Sequence, residues 1–85
     1  MIKINTVDKD AVDTCIVYVI RNPSGTYSVQ AQLYVGEEWC DDDSEEHADI
    51  ERARADAKGR IDLYRDTYRN ADVSLADEKS TEGWR

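Results

Sequence analysis

Residues 14–35 read TCIVYVIRNPSGTYSVQAQLYV. The run Cys15-Ile16-Val17-Tyr18-Val19-Ile20 is apolar on both faces and rich in β-branched side chains, the composition expected of a central strand. Asn22-Pro23-Ser24-Gly25 follows. Proline supplies the fixed φ for the second position of a type I turn, and glycine the left-handed residue from which a hairpin resumes. The return strand alternates, with Tyr27, Val29, Ala31, Leu33 and Val35 on one side and Ser28, Gln30, Gln32 and Tyr34 on the other. One of its faces must meet a core, and the other can be wet.

On the N-terminal side, Ile2, Ile4 and Thr6 alternate with Lys3 and Asn5, which predicts a short first strand ended by Asp8-Lys9-Asp10. On the C-terminal side, Gly36 closes the return strand and an acidic block leads into a helix. Asp43 or Ser44 can cap that helix, and Asp43 with Glu46 three residues on fits a capping box. Beyond it Ile50, Ala53, Ala57, Ile61, Tyr64, Tyr68 and Ala71 recur at steps of three and four, a helical stripe that would lie on the sheet. Gly59 sits inside this helix, where with Ala53 and Ala57 it would permit close approach to the strands. Val73 and Leu75 suggest a brief edge strand. The expected fold is α+β: an antiparallel three- or four-stranded sheet with one long helix packed on one face. Residues 1–76 would form a single domain, and residues 77–85, with Trp84 as an oddity, a polar tail.

Eighty-five residues suffice for one domain but not for a large core or an enclosed substrate pocket, which favours a binding module over an enzyme. No apolar run is long enough for a membrane span, and the first residues lack the apolar stretch of a signal peptide, so a cytoplasmic location is expected. There free thiols are favoured over a bridge between Cys15 and Cys40, and neither cysteine has C-x-x-C spacing.

The formal net charge of −8 opposes simple phosphate binding. One block accounts for it: residues 37–51 hold nine acids and no Lys or Arg, whereas residues 1–36 are balanced and residues 52–69 are basic. Within the block, Asp41, Asp43 and Glu45 match the first ligand positions of a calcium loop, but Glu46 stands in place of the turn glycine and Arg52 in place of the closing glutamate. Zinc on Cys40 and His47 would need two further ligands, Cys15 being the candidate, so no metal or other cofactor is expected. Cys40 and His47 as nucleophile and base would suffer from surrounding carboxylates that disfavour a thiolate. Acids at a helix start do favour its dipole, but two or three collect nearly all of that gain. Nine suggest a second use, a surface mimicking nucleic acid: were residues 41–51 all helical, they would carry a carboxylate per roughly 2.4 Å of axis, against a phosphate per about 1.7 Å of duplex. The candidate partner-binding residues are therefore Tyr34, Glu37, Glu38, Trp39, Asp41, Asp42, Asp43, Glu45, Glu46 and Asp49, the two aromatics serving as anchors. The basic helix face is read as self-paired, Arg52 with Asp56, Asp56 with Arg60, and Asp62 with Arg65, rather than as a site for nucleic acid.

In size, charge and layout the hairpin, the acidic run and the single helix resemble the small acidic inhibitors, of the anti-CRISPR and antirestriction kind, that phages encode against bacterial defence. The resemblance implies a phage-encoded, non-enzymatic protein, acting in the host cytoplasm, that binds a nuclease or surveillance complex with a basic surface. The hairpin, the "DDDSEE" stretch and the Ala-rich helix are also similar to the HicB-type antitoxin domain, though without its Gly- and Pro-bearing return. That likeness implies an antitoxin-like or homodimeric interaction module instead.

Overall fold

A computed structural model of the chain describes residues 8–42 and 44–80. The strand expected over residues 2–6, Asp43 and Trp84 lie outside them. Among the described residues the chain forms β1 (Thr14–Arg21), β2 (Tyr27–Val35), β3 (Glu38–Asp41), β4 (Glu45–His47), α1 (Ile50–Thr67) and β5 (Asp72–Ser80). This is an α+β fold with one helix packed on one face of a five-stranded sheet.

The hairpin forms as its residues dictate. β1 and β2 pair antiparallel from Thr14 opposite Tyr34 to Arg21 opposite Tyr27. Gly25 donates its N–H to the carbonyl of Asn22 at 3.0 Å and adopts φ of 90°, the left-handed value the turn requires. The alternation of β2 puts Val29, Ala31 and Leu33 into the core beside Cys15, Val17 and Val19 of β1. Ala53, Ala57 and Tyr64 of α1 cover them, flanked by Tyr68, Ile50 and Ile61. The helical stripe read from the sequence is thus the buried face from Ile50 to Tyr64, while Tyr68 and Ala71 fall beyond the end of α1 and pack on the core from there.

Three expectations about the sheet are revised. Gly36 does not lead the acidic block into a helix. With φ of 62° it starts a two-residue turn that returns the chain as β3, Glu38 lying opposite Val35 and Asp41 opposite Gln32. β3 ends at Asp41 and β4 begins at Glu45, and Glu45 to His47 pair with Val29 to Tyr27 further along β2. β3 and β4 together make one interrupted edge strand. Secondly, β5 is parallel to β1, so the sheet is mixed, in the order β3-β2-β1-β5. β4, α1 and β5 constitute a crossover that starts on one edge, spans both central strands and ends on the far side of β1. Thirdly, β5 runs to Ser80, so the boundary expected between residues 76 and 77 falls inside a strand. Pairing with β1 overrides the polar composition there.

The helix begins later than expected because Asp49, not Asp43 or Ser44, is its cap. The extended backbone of Asp49 (φ −125°, ψ 130°) lets its carboxylate accept from the Glu51 N–H at 3.0 Å. Gly59 has no packing role: it is exposed, and a methyl group there would meet no atom within 4 Å.

Candidate functional site

Side chains alternate along a strand, so the edge strand divides the acidic block between two sides of the sheet. On the helix side lie Glu38, Cys40, Glu45 and His47, opposite the odd-numbered core positions of β2. On the other side lie Trp39 opposite Tyr34, Asp41 opposite Gln32, and Glu46 opposite Ser28. The uninterrupted helical file of carboxylates expected over residues 41–51 is absent, since of these residues Ile50 and Glu51 alone fall in α1. Extended backbone spreads same-side carboxylates to about 6.8 Å, half the linear density of phosphates along one DNA strand.

The nine candidate residues that are described therefore have different roles. Asp42 is half-buried and accepts the Tyr64 hydroxyl, tying helix to edge. Asp49 is the helix cap. Glu46 is exposed and accepts from the Thr26 hydroxyl, which fixes β4 to the β1–β2 turn. Glu37, Glu38 and Glu45 are exposed, Glu37 in the turn and the other two on the edge strand. Asp41 keeps one buried carboxylate oxygen with no hydrogen-bond partner among the described residues. Trp39 is 37% exposed and sits directly across from Tyr34, whose hydroxyl donates to Gln32 Oε1 at 3.0 Å. The proximity of Tyr18, whose phenol is pushed up by burial and by Tyr34, extends this aromatic strip onto β1.

On the helix side the edge meets α1 through a chain of polar groups that sequence reasoning missed. His47 Nε2 lies 2.8 Å from Asp56 Oδ2 and 3.8 Å from Glu45 Oε2, and Arg60 Nε donates to Asp56 Oδ1 at 2.9 Å. Burial opposes the charge of Asp56, but the hydrogen bonds from His47 and Arg60 outweigh it and hold the carboxyl below its ordinary range. Arg60 is likewise held in its charged form, Asp56 outweighing the opposing effect of burial. Of the ion pairs read along the helix, Asp56 with Arg60 is present. Arg54 reaches Asp77 of β5 at 3.2 Å. The His47–Asp56 contact had no periodic signature, because it joins a three-residue strand to the second turn of a helix across a loop.

Neither cysteine has the exposed, electropositive setting of a reactive thiol. Cys15 and Cys40 flank Leu33 on opposite sides of β2, about 9.6 Å apart across two strand spacings, whereas a disulfide needs Cα atoms within about 6.8 Å. Both are free and buried. Burial, then Asp42 and Cys40, push the Cys15 thiol up to about 12, and burial with Asp41 and Asp42 raises that of Cys40. Cys40 opposite Leu33 and His47 opposite Tyr27 stand six positions apart along β2, roughly 20 Å, too far for a nucleophile and its base or for a shared metal.

No helix among the described residues is long and apolar enough to cross a membrane. In comparisons with protein-family models, curated proteins and solved structures, nothing matches the chain.

Proposed function

We propose that the protein is a non-enzymatic inhibitor whose acidic edge occupies a basic, nucleic-acid-binding surface on a protein partner. The observation that carries this reading is the placement of exposed Glu37, Glu38, Glu45 and Glu46 along one sheet edge, with exposed Trp39 among them and Tyr34 beside it. Interfaces owe most of their affinity to a few aromatic anchors, while rim charges speed encounter and choose the partner. A chain with net charge −8 is drawn to such a surface from a distance. The class of partner, a nuclease or surveillance complex of bacterial defence, is the one that the anti-CRISPR and antirestriction resemblance implies. Mimicry through an edge strand differs from mimicry through a helix: the density of charge is lower, and the aromatic anchor carries more of the binding.

The test is DNA cleavage by purified restriction nucleases and CRISPR effectors in the presence of the chain, at increasing salt. The comparison is with Trp39→Ala and with a triple variant, Glu37→Gln, Glu38→Gln and Glu46→Gln, which leaves Asp42 and Asp49 to hold the fold. Inhibition should fade with salt and be lost in both variants while their circular dichroism is unchanged. Inhibition that survives both variants, or none by the native chain across the panel, overturns the reading.

A further inference from the structure

The meeting of β4 with α1 carries a second inference, which shares only Glu45 with the residues of the acidic edge proposed to dock. His47 Nε2, an oxygen of Glu45 and an oxygen of Asp56 all lie within 4.8 Å of one another. Two elements supply them, β4 the first two and α1 the third. We infer that Glu45, His47 and Asp56 form a binding site for a divalent transition-metal ion of the zinc type, which would clip the helix to the edge strand.

Zinc bound tetrahedrally at 2.0–2.2 Å holds its ligand atoms roughly 3.4 Å apart. The His47–Asp56 separation of 2.8 Å needs to open by about half an ångström, and the His47–Glu45 separation of 3.8 Å needs to close by about as much. Small side-chain rotations suffice for both. Arg60 Nε holds Oδ1 of Asp56, while Oδ2 faces His47. A hydrogen bond to the non-ligating oxygen is the usual means by which a ligating carboxylate is oriented. Charge favours occupancy. Two carboxylates against one guanidinium leave the site negative with a neutral imidazole, in a chain whose net charge is −8.

The donor set selects the class of ion. Calcium requires six to eight oxygen ligands, and one imidazole with two carboxylates does not provide them, whereas imidazole suits zinc, nickel and copper. Glu45 is 62% exposed, so the fourth position faces solvent and would hold water. Sequence spacing concealed the site, since Cys40 was the natural partner to consider for His47 and the fold places them far apart.

The probe is Co²⁺ on the full chain, followed by its visible absorption, with Zn²⁺ displacement and calorimetry. One ion per chain should bind with ligand-field bands and without the intense charge-transfer bands of thiolate ligation, and saturating Zn²⁺ should raise Tm by at least about 5 °C. His47→Ala should weaken binding at least about 100-fold, and Glu45→Gln, a change at an exposed position, about 10-fold. Arg60→Gln, which frees Oδ1, should also weaken it. Absence of binding up to millimolar Zn²⁺, affinity unchanged in Glu45→Gln, thiolate bands, or equal displacement by Ca²⁺ would each overturn the assignment. Because Glu45 stays intact in the triple variant that tests inhibition, that variant should bind Co²⁺ normally, and the two proposals fail separately.

Discussion

Tyr64 and Asp42, a phenol and a carboxylate, join α1 to the interrupted edge of the sheet. Tyr64 is buried, and burial followed by the bond to Asp42 raises its phenol well above the usual range; Tyr68 and Cys15 are raised by burial too. Groups that ionise less readily when folded stabilise the native state fully below their ordinary values, 9.0 for the thiol and 10.0 for the phenols, and that stability drains as pH rises toward the folded values. Urea unfolding should therefore show a falling free energy from about pH 9 upward. Tyr64→Phe should cost about 1 kcal/mol at neutral pH and flatten the alkaline decline. An unchanged slope would remove Tyr64 from the account. Gly59 points the other way. Its backbone is helical and its surroundings are open, so Gly59→Ala should stabilise by about 0.5 to 1 kcal/mol, read as a rise in Tm.

At the scale of elements, the position of the helix start is the sharpest difference between sequence and structure. Asp49→Ala should destabilise by about 1 kcal/mol, whereas Ser44→Ala, on an exposed side chain outside the helix, should stay within about 0.5 kcal/mol. The reverse ranking would restore the earlier start. The hairpin was legible because its apolar alternation, its proline and its left-handed glycine all agree. So was the buried face of α1, from steps of three and four. The acidic residues hid β3 and β4, since charge on an edge strand guards against stray pairing and erases the alternation by which strands are recognised. Val35-Gly36-Glu37-Glu38 did carry a signal for a two-residue turn, Gly standing first, but the neighbouring carboxylates suggested a helix start more strongly. Asp77 was likewise unreadable as strand: it lies where the β1–β5 register shifts between Ala76 and Lys79, and Arg54 of α1 reaches its carboxylate. Of the candidate site, Trp39 and Tyr34 were named together as aromatic anchors from the sequence, but their pairing across β2 and β3 was not, because β3 itself was not expected. The sharing of Asp42 and Asp49 with the framework was not legible either, because hydrogen bonds from distant residues leave no local pattern.

For the molecule as a whole, charge and topology make separate demands. The acidic excess is concentrated on one edge, while the core depends on a strand, β1, whose run from Cys15 to Ile20 is apolar and which is paired on both sides. One partner, β2, stands just across the turn at residues 22–25. The other, β5, reaches Thr14 only at Asp72, after the edge strand and the entire helix have been made. Loop-closure entropy and sequence separation both slow contacts of this kind. During synthesis the hairpin can zip early, yet β1 keeps an open hydrogen-bonding edge until β5 has emerged, and over that interval its apolar run is a template for other nascent chains. The last strand thus acts as the seal on the molecule. A chain truncated after Asn70 should aggregate on expression, and any soluble fraction should expose Cys15 to a thiol reagent that leaves the full-length thiols untouched. The acidic edge, already synthesised when that danger is greatest, would then serve as the solubilising group that keeps half-made copies apart.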